Sequence, residues 1–150
     1  MAITVAELTT VGDPANASSY ATASITPGAN RLVLAWVHSS VGSGTANAPT
    51  LSGNGLTWVQ VATQTIAKRR TTLFRSMGSA PTAGVVTISF AGQNQTAALW
   101  SIIHADGVDT SGTNGSGALV QSQTGSVTGN SFTVTMTSSP TPGNLSVGGC

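Results

Sequence analysis

Along this chain apolar residues recur at every second position or in short unbroken runs, and almost nowhere at the spacing of an amphipathic helix. The runs are rich in Val, Ile, Thr and aromatics and are separated by clusters of Gly, Pro, Asn and Ser, so they predict strands joined by turns. The predicted strands are "ITVAEL", "SYATASI", "RLVLAWVHS", "TWVQVATQTI", "TTLFRSM", "VVTISFA", "TAALWSIIHA", "ALVQSQT", "SFTVTMTS" and "NLSVGG". Many short strands at this spacing define an all-β protein, an antiparallel β-sandwich or jelly roll. In "TPGAN" Pro27 presets φ and Gly28 suits a positive φ, while Asn54 and Gly55 in "GNGLTW" suit a tight hairpin turn.

The alternation also sorts faces. In "SFTVTMTS" Phe132, Val134 and Met136 point one way and Thr133, Thr135 and Thr137 the other, which predicts one core face and one wet face. "RLVLAWVHS" differs: Leu32, Leu34 and Trp36 share one face, and Val33, Ala35 and Val37 make the other face apolar too. "TAALWSIIHA" repeats this, with Trp100 and Ile102 against Leu99 and Ile103. Such strands need cover on both faces, from a loop of the same chain or from another subunit.

The chain of 150 residues is long enough for one core, so one domain over residues 1–150 is expected. A T-P-G turn leads through Asn into a strand pattern twice, in "ITPGANRLVL" and in "PTPGNLSVGG". Duplication and convergent turn chemistry both account for this echo. The second pattern is the shorter, which leaves the last strand either truncated or a short edge.

Only 6% of residues are charged, against about 25% in an average soluble domain, and net charge is +1. The chain is nonetheless 39% hydrophobic in regularly spaced blocks, which excludes a disordered polyampholyte. Edge strands are usually guarded by Lys, Glu or Pro, and few charges exist here to do so. Either the sheets close on themselves or the edges and apolar faces are buried in an assembly, which predicts a homo-oligomer or a component of a larger particle. A standard contact of about 1,600 Å² is depleted of charge at its centre, in keeping with this composition. No apolar run approaches a membrane span, and "MAITVAELTT" lacks the basic and apolar regions of a signal peptide, so neither membrane contact nor ordinary secretion is expected. The single cysteine, Cys150, reads as a free thiol, with an interchain disulfide as the alternative.

Four of the five basic residues, Lys68, Arg69, Arg70 and Arg75, fall within eight positions. A net charge of +1 argues against nucleic-acid binding. Lys68 to Arg70 lie between two strand patterns, which places them at a hairpin tip. Two readings stand for it, a solvated turn and a docking point in which Arg supplies bidentate contacts to an acidic surface.

The acidic residues are only Glu7, Asp13, Asp106 and Asp109, and neither a nucleophile elbow, a phosphate-binding loop nor H-E-x-x-H occurs. The expectation is a non-enzymatic protein without cofactor. The best metal candidate is "HADGVD", with His104, Asp106 and Asp109, joined by His38 if the two Trp-bearing strands are neighbours; the competing reading is a turn held by Asp side chains. Trp36, Trp58 and Trp100 lie among aliphatic neighbours, where core anchoring competes with a sugar-stacking role.

The order "TPGANRLVLAWVHSS", "LSGNGLTWVQVATQ", "RRTTLFRSM", "GVVTISFAG", "TAALWSIIHADGVDTSG" and "FTVTMTSSPTPGNLSVGG" resembles jelly-roll-like β-sandwich proteins of bacteriophage virions and phage-derived bacterial genes. The resemblance covers roughly residues 20 to 149 and rests on short structural motifs that bring no functional residue with them. It implies a capsid decoration or tail-surface protein, assembled in the host cytoplasm and located in the virion, that contacts other virion proteins. The expected contact residues are Trp36 and Trp100 on the apolar faces, with Lys68, Arg69, Arg70 and Arg75. The alternative is a carbohydrate-binding or adhesion module that stacks sugars on Trp58.

Overall fold

A computed structural model describes residues 2–127, 131, 133–139 and 143–149. Eight strands are present among them: β1 Thr4–Asp13, β2 Ser19–Ala21, β3 Leu32–Ser40, β4 Thr50–Gly53, β5 Val59–Ile66, β6 Arg69–Ser76, β7 Val86–Ser89 and β8 Ala97–Asp106. They form a five-stranded sheet, β1-β8-β3-β6-β5, and a three-stranded sheet, β2-β7-β4, with every pairing antiparallel. The two sheets pack as an antiparallel β-sandwich.

The pairing is nested: β1 pairs with β8, β2 with β7 and β3 with β6. The innermost pair breaks the nesting, since β4 joins β7 and β5 joins β6. The Asn54–Gly55 turn does have positive φ at both residues, 59° and 63°, but it carries the chain from one sheet to the other and so makes no hairpin. Asn54 is buried there, and its side-chain amide donates to the carbonyls of Thr82 and Gly84, both at 3.0 Å. The tight hairpin is instead β5–β6, turning at Ala67 and Lys68, with Ala67 at φ 51°. In the "TPGAN" turn the positive φ falls on Asn30 and not on Gly28.

The space between the sheets is filled by Val33, Ala35 and Val37 of β3, Phe74 of β6, Ala98, Trp100 and Ile102 of β8, and Tyr20, Val86, Ile88 and Phe90 from the opposite side. Tyr20 meets Phe90 edge-on with ring centroids 6.0 Å apart, a geometry aromatic pairs prefer. Its hydroxyl donates to the Ala15 carbonyl at 2.6 Å, so the polar end of the ring is not stranded.

Lacking charge, the five-stranded sheet guards its edges by geometry. β1 slips register between Glu7 and Thr9, and β5 slips between Gln60 and Ala62. Bulges bend an outer strand and interrupt the flat template that another chain would extend.

The patterns at 118–124, 131–138 and 144–149 form no strand among the described residues, and Phe132 and Cys150 lie outside them. Val120, Val134, Met136, Leu145 and Val147 are exposed. Alternation states which face a strand would bury, but a strand also needs an edge to pair with, and the register slips in β1 and β5 interrupt the outer edges of the larger sheet. Gln121 instead bonds across to Thr137 and Ser138. The first T-P-G sequence thus opens onto β3, whereas the described residues 143–149 of the second form no strand.

Two substitutions test this packing. Ile88 is fully buried, so Ile88→Ala is expected to lower the unfolding free energy by about 2–5 kcal/mol in denaturant titration. Ala67→Gly relieves a left-handed Ala at the hairpin turn and is expected to raise stability by up to about 1 kcal/mol.

Candidate functional site

β3 lies at the centre of the five-stranded sheet, between β6 and β8, and six consecutive residues from Leu32 to Val37 are buried. Its outward face carries Leu32 opposite Ala105, Leu34 between Ile103 and Arg75, Trp36 between Ser101 and Leu73, and His38 between Leu99 and Thr71. These residues form a second apolar cluster, separate from the sandwich core, in which Leu32, Leu34, Trp36 and Ala105 are buried. Leaving a Trp side chain in water forfeits about 4–6 kcal/mol of transfer free energy, so this face is costly to leave bare.

Two segments cover it. At the Leu32 end, Val108 and Ala118 of the loop after β8 pack on the cluster. Gly115 comes so close that a β-carbon there would lie 2.7 Å from Leu32 Cδ1, and its φ of 81° suits glycine. Arg75 fastens this loop, its Nη1 donating to the carbonyls of Thr113 at 3.2 Å and Asn114 at 3.0 Å. At the other end Val147, Gly148 and Gly149 lie beside Trp36. Between them and Trp36, His38, Ser101 and Ile103 a groove of about 290 Å³ stays open. Leu99, 52% exposed, extends the apolar face beyond His38.

The candidate contact residues divide. Trp36 is on the outward face as required, but Trp100 points the other way, into the sandwich core, where its ring lies 6.3 Å from Tyr20. Pairing in register fixes this: Trp100 stands opposite the inward-facing Val37, and Trp36 opposite Ser101. Trp58 is half-buried and packs on the same core.

Lys68 and Arg69 sit at the hairpin tip with Arg70 next to it, and Arg75 stands at the far end of β6; most of these cations bond to the protein's own carbonyls. Lys68 Nζ donates to Gly42 O at 2.6 Å, and Arg70 donates to Ala46 O at 2.8 Å and to Thr63 Oγ1 at 3.0 Å. Two cations thus pin the 41–49 loop as Arg75 pins the later one. Such bonds use charge as a donor to the backbone, with no carboxylate needed. Arg69 is exposed, and its side chain forms no hydrogen bond or ion pair among the described residues.

The two histidines do not meet. Their strands are neighbours, but His38 faces outward opposite Leu99 while His104 faces inward opposite Val33. His38 Nδ1 lies 2.9 Å from Thr71 Oγ1, and burial lowers its pKa. His104 Nε2 lies 3.2 Å from Arg31 Nη1 and its Nδ1 lies 3.4 Å from the Gly28 backbone nitrogen; both neighbours are donors, so neither favours a protonated ring. Arg31 also pairs with Asp106 at 3.2 Å. The His104 pKa is lowered, chiefly by burial, then by the Arg31 charge, with Asp106 opposing. Asp106 accepts from the Gly107 N–H and Asp109 from the Ser111 N–H, both at 2.8 Å, which is the turn reading of "HADGVD". The Ser111 bonds also lower the Asp109 pKa. Among the described residues no group of three His, Cys, Asp or Glu side chains is placed to hold a metal ion.

The geometry therefore defines an antiparallel β-sandwich with one partly covered apolar sheet face. No protein-family model, curated protein or solved structure matches the chain. The outward face was legible in the sequence as a second apolar stripe on "RLVLAWVHS". The loops that cover it were missed, since Gly115 and Gly149 carry no apolar signal and act by lacking a side chain.

Two measurements follow. Arg75→Ala is expected to speed amide hydrogen exchange across 109–117 and to cost about 1–3 kcal/mol, whereas Arg69→Ala changes stability by less than about 0.5 kcal/mol. Both histidines have folded pKa values below the ordinary 6.5, so the folded chain binds fewer protons than the unfolded one. Their contribution is full above about pH 6.5 and is lost as pH falls from there through the lowered folded values. Thermal melting should drop between pH 7 and pH 5, and His104→Gln should flatten that drop.

Proposed function

We propose that this chain is a non-enzymatic structural protein of a bacteriophage particle, a capsid decoration or other particle-surface protein. It acts as a homo-oligomer in contact with other virion proteins, and its location is the virion. The observation that carries the reading is the outward face of the five-stranded sheet. It is apolar from Leu32 to Trp36, continues through Leu73, Ile103 and the exposed Leu99, and is left partly open at its Trp36 end. A patch of this kind, rimmed by uncharged polar residues, suits a protein interface.

Three further points support it. The sequence order resembles virion jelly-roll proteins. The nested pairing of β1 with β8, β2 with β7 and β3 with β6 is what a long hairpin wrapped into two sheets gives, which supports the jelly-roll description. A surface with so few charges is at home inside an assembly, where Arg69 is free to supply the polar contact that Lys68, Arg70 and Arg75 do not. The mechanism requires no cofactor, nucleic acid or membrane.

The test is binding to purified particles. The chain is expected to co-sediment with them at a fixed stoichiometry. Leu99→Glu, which places a charge on the exposed margin of the apolar face, is expected to weaken that binding at least tenfold with the circular dichroism spectrum unchanged. A monodisperse monomer that binds no particle refutes the proposal.

A further inference from the structure

The two covers of the outward face are held unequally. At the Leu32 end the loop is fastened by Arg75 to the carbonyls of Thr113 and Asn114. It is also braced within itself, since the Gly117 N–H donates to the Ser111 carbonyl at 3.1 Å and the Thr113 N–H to Ser116 Oγ at 3.0 Å. At the Trp36 end Val147, Gly148 and Gly149 make no backbone hydrogen bond among the described residues and belong to no strand. Their hold on the sheet is contact alone.

That contact is made by backbone. A β-carbon on Gly149 would stand 2.5 Å from Trp36 Cδ1, 2.8 Å from Nε1 and 3.0 Å from Cγ, so glycine fits against the indole and a larger residue does not unless the ring moves. The indole is buried, but the apolar side chains of the covering segment add little, since Leu145 and Val147 both remain exposed. A groove of about 290 Å³ stays open around the contact, lined on the sheet side by Trp36, His38, Ser101 and Ile103. A cover of this kind gains little against the entropy of ordering it. It gives way to a surface that brings apolar side chains into the groove and makes the contacts that glycine cannot.

We propose that Val147–Gly149 is an autoinhibitory strap, which occupies the outward face over Trp36 in the free chain and is displaced when that face docks on the particle. This rests on the reading of the outward face as an interface, and it adds a competitor supplied by the chain itself. While seated, the strap keeps the indole out of water. Docking must unseat it, so the apparent affinity of the chain is lowered in proportion to the fraction of molecules whose strap is open.

The test compares two substitutions in the full chain. Gly149→Thr sets a branched, uncharged side chain against the indole and unseats the strap, whereas a β-carbon on Gly148 meets nothing within 4 Å, so Gly148→Ala leaves it seated. The first readout is the indole N–H resonance of Trp36, assigned by its loss in Trp36→Phe. Gly149→Thr is expected to shift it and to speed its solvent exchange about fivefold or more, with the Trp58 and Trp100 resonances and the circular dichroism spectrum unchanged; Gly148→Ala is expected to leave it in place. The second is affinity for purified particles. Gly149→Thr is expected to bind about fivefold or more tightly than the native chain, which corresponds to a strap seated in about four-fifths of free molecules, and Gly148→Ala to bind like the native chain. A Trp36 resonance indifferent to Gly149→Thr overturns the strap. A shifted resonance with particle affinity unchanged or weakened overturns the autoinhibition and leaves the interface reading standing. Failure of the native chain and Gly149→Thr alike to bind particles overturns the interface reading and the inference with it.

Discussion

Everything in this molecule follows from a central strand that has no wet side. β3 is hydrogen-bonded to β6 and β8, and from Leu32 to Val37 no residue on it is open to water. One apolar face is served by the three-stranded sheet. The other faces away from the sandwich, and the chain must find a second cover for it after the last strand is complete. The loop behind β8, its Arg75 fastening, and the contact of Gly149 with Trp36 all answer that single requirement. Covering is incomplete at the Trp36 end, where a groove stays open.

The handling of charge has the same logic. In most domains cations on the surface meet carboxylates, but here one ion pair, Arg31 with Asp106, is present among the described residues. Lys68, Arg70 and Arg75 take backbone carbonyls as partners and tie down irregular segments that have no ladder of their own. A hydrogen bond from a charged donor is worth more than a neutral one, so a few cations hold two loops in a chain that has few to place. Strand edges are treated without charge at all, through the register slips in β1 and β5.

Much of the fold could be read from the alternation, and the limits of that reading have physical causes. Seven of the eight strands fall on predicted runs; β4 does not, because four residues with Leu51 as their sole large apolar side chain carry no periodic signal. Period two tells which side chains share a face within a strand but not which face is inside. Hence the two apolar faces of β3 and β8 were visible, while the inward placement of Trp100 and the outward placement of Trp36 were not. Partner choice is equally non-local: His38 and His104 lie on adjacent strands yet on opposite faces. The hairpin at Lys68 was legible because turn and pairing are both local there. The carbonyls that its cations seek, at Gly42 and Ala46, belong to a loop whose path depends on the whole sandwich.

The nested pairing has a consequence for how the protein comes into being. Strands that pair β1 with β8 and β2 with β7 join residues that are far apart along the chain, and such topologies fold slowly because long loops must close before they are rewarded. Among the described residues only β5 and β6 meet across a two-residue turn. On a ribosome β1 and β2 emerge first and wait for β8 and β7, whereas β3 gains a partner once β6 has been made, at residue 76. During that interval the strand with two apolar faces has neither covered, and the time to complete synthesis sets how long it stays so.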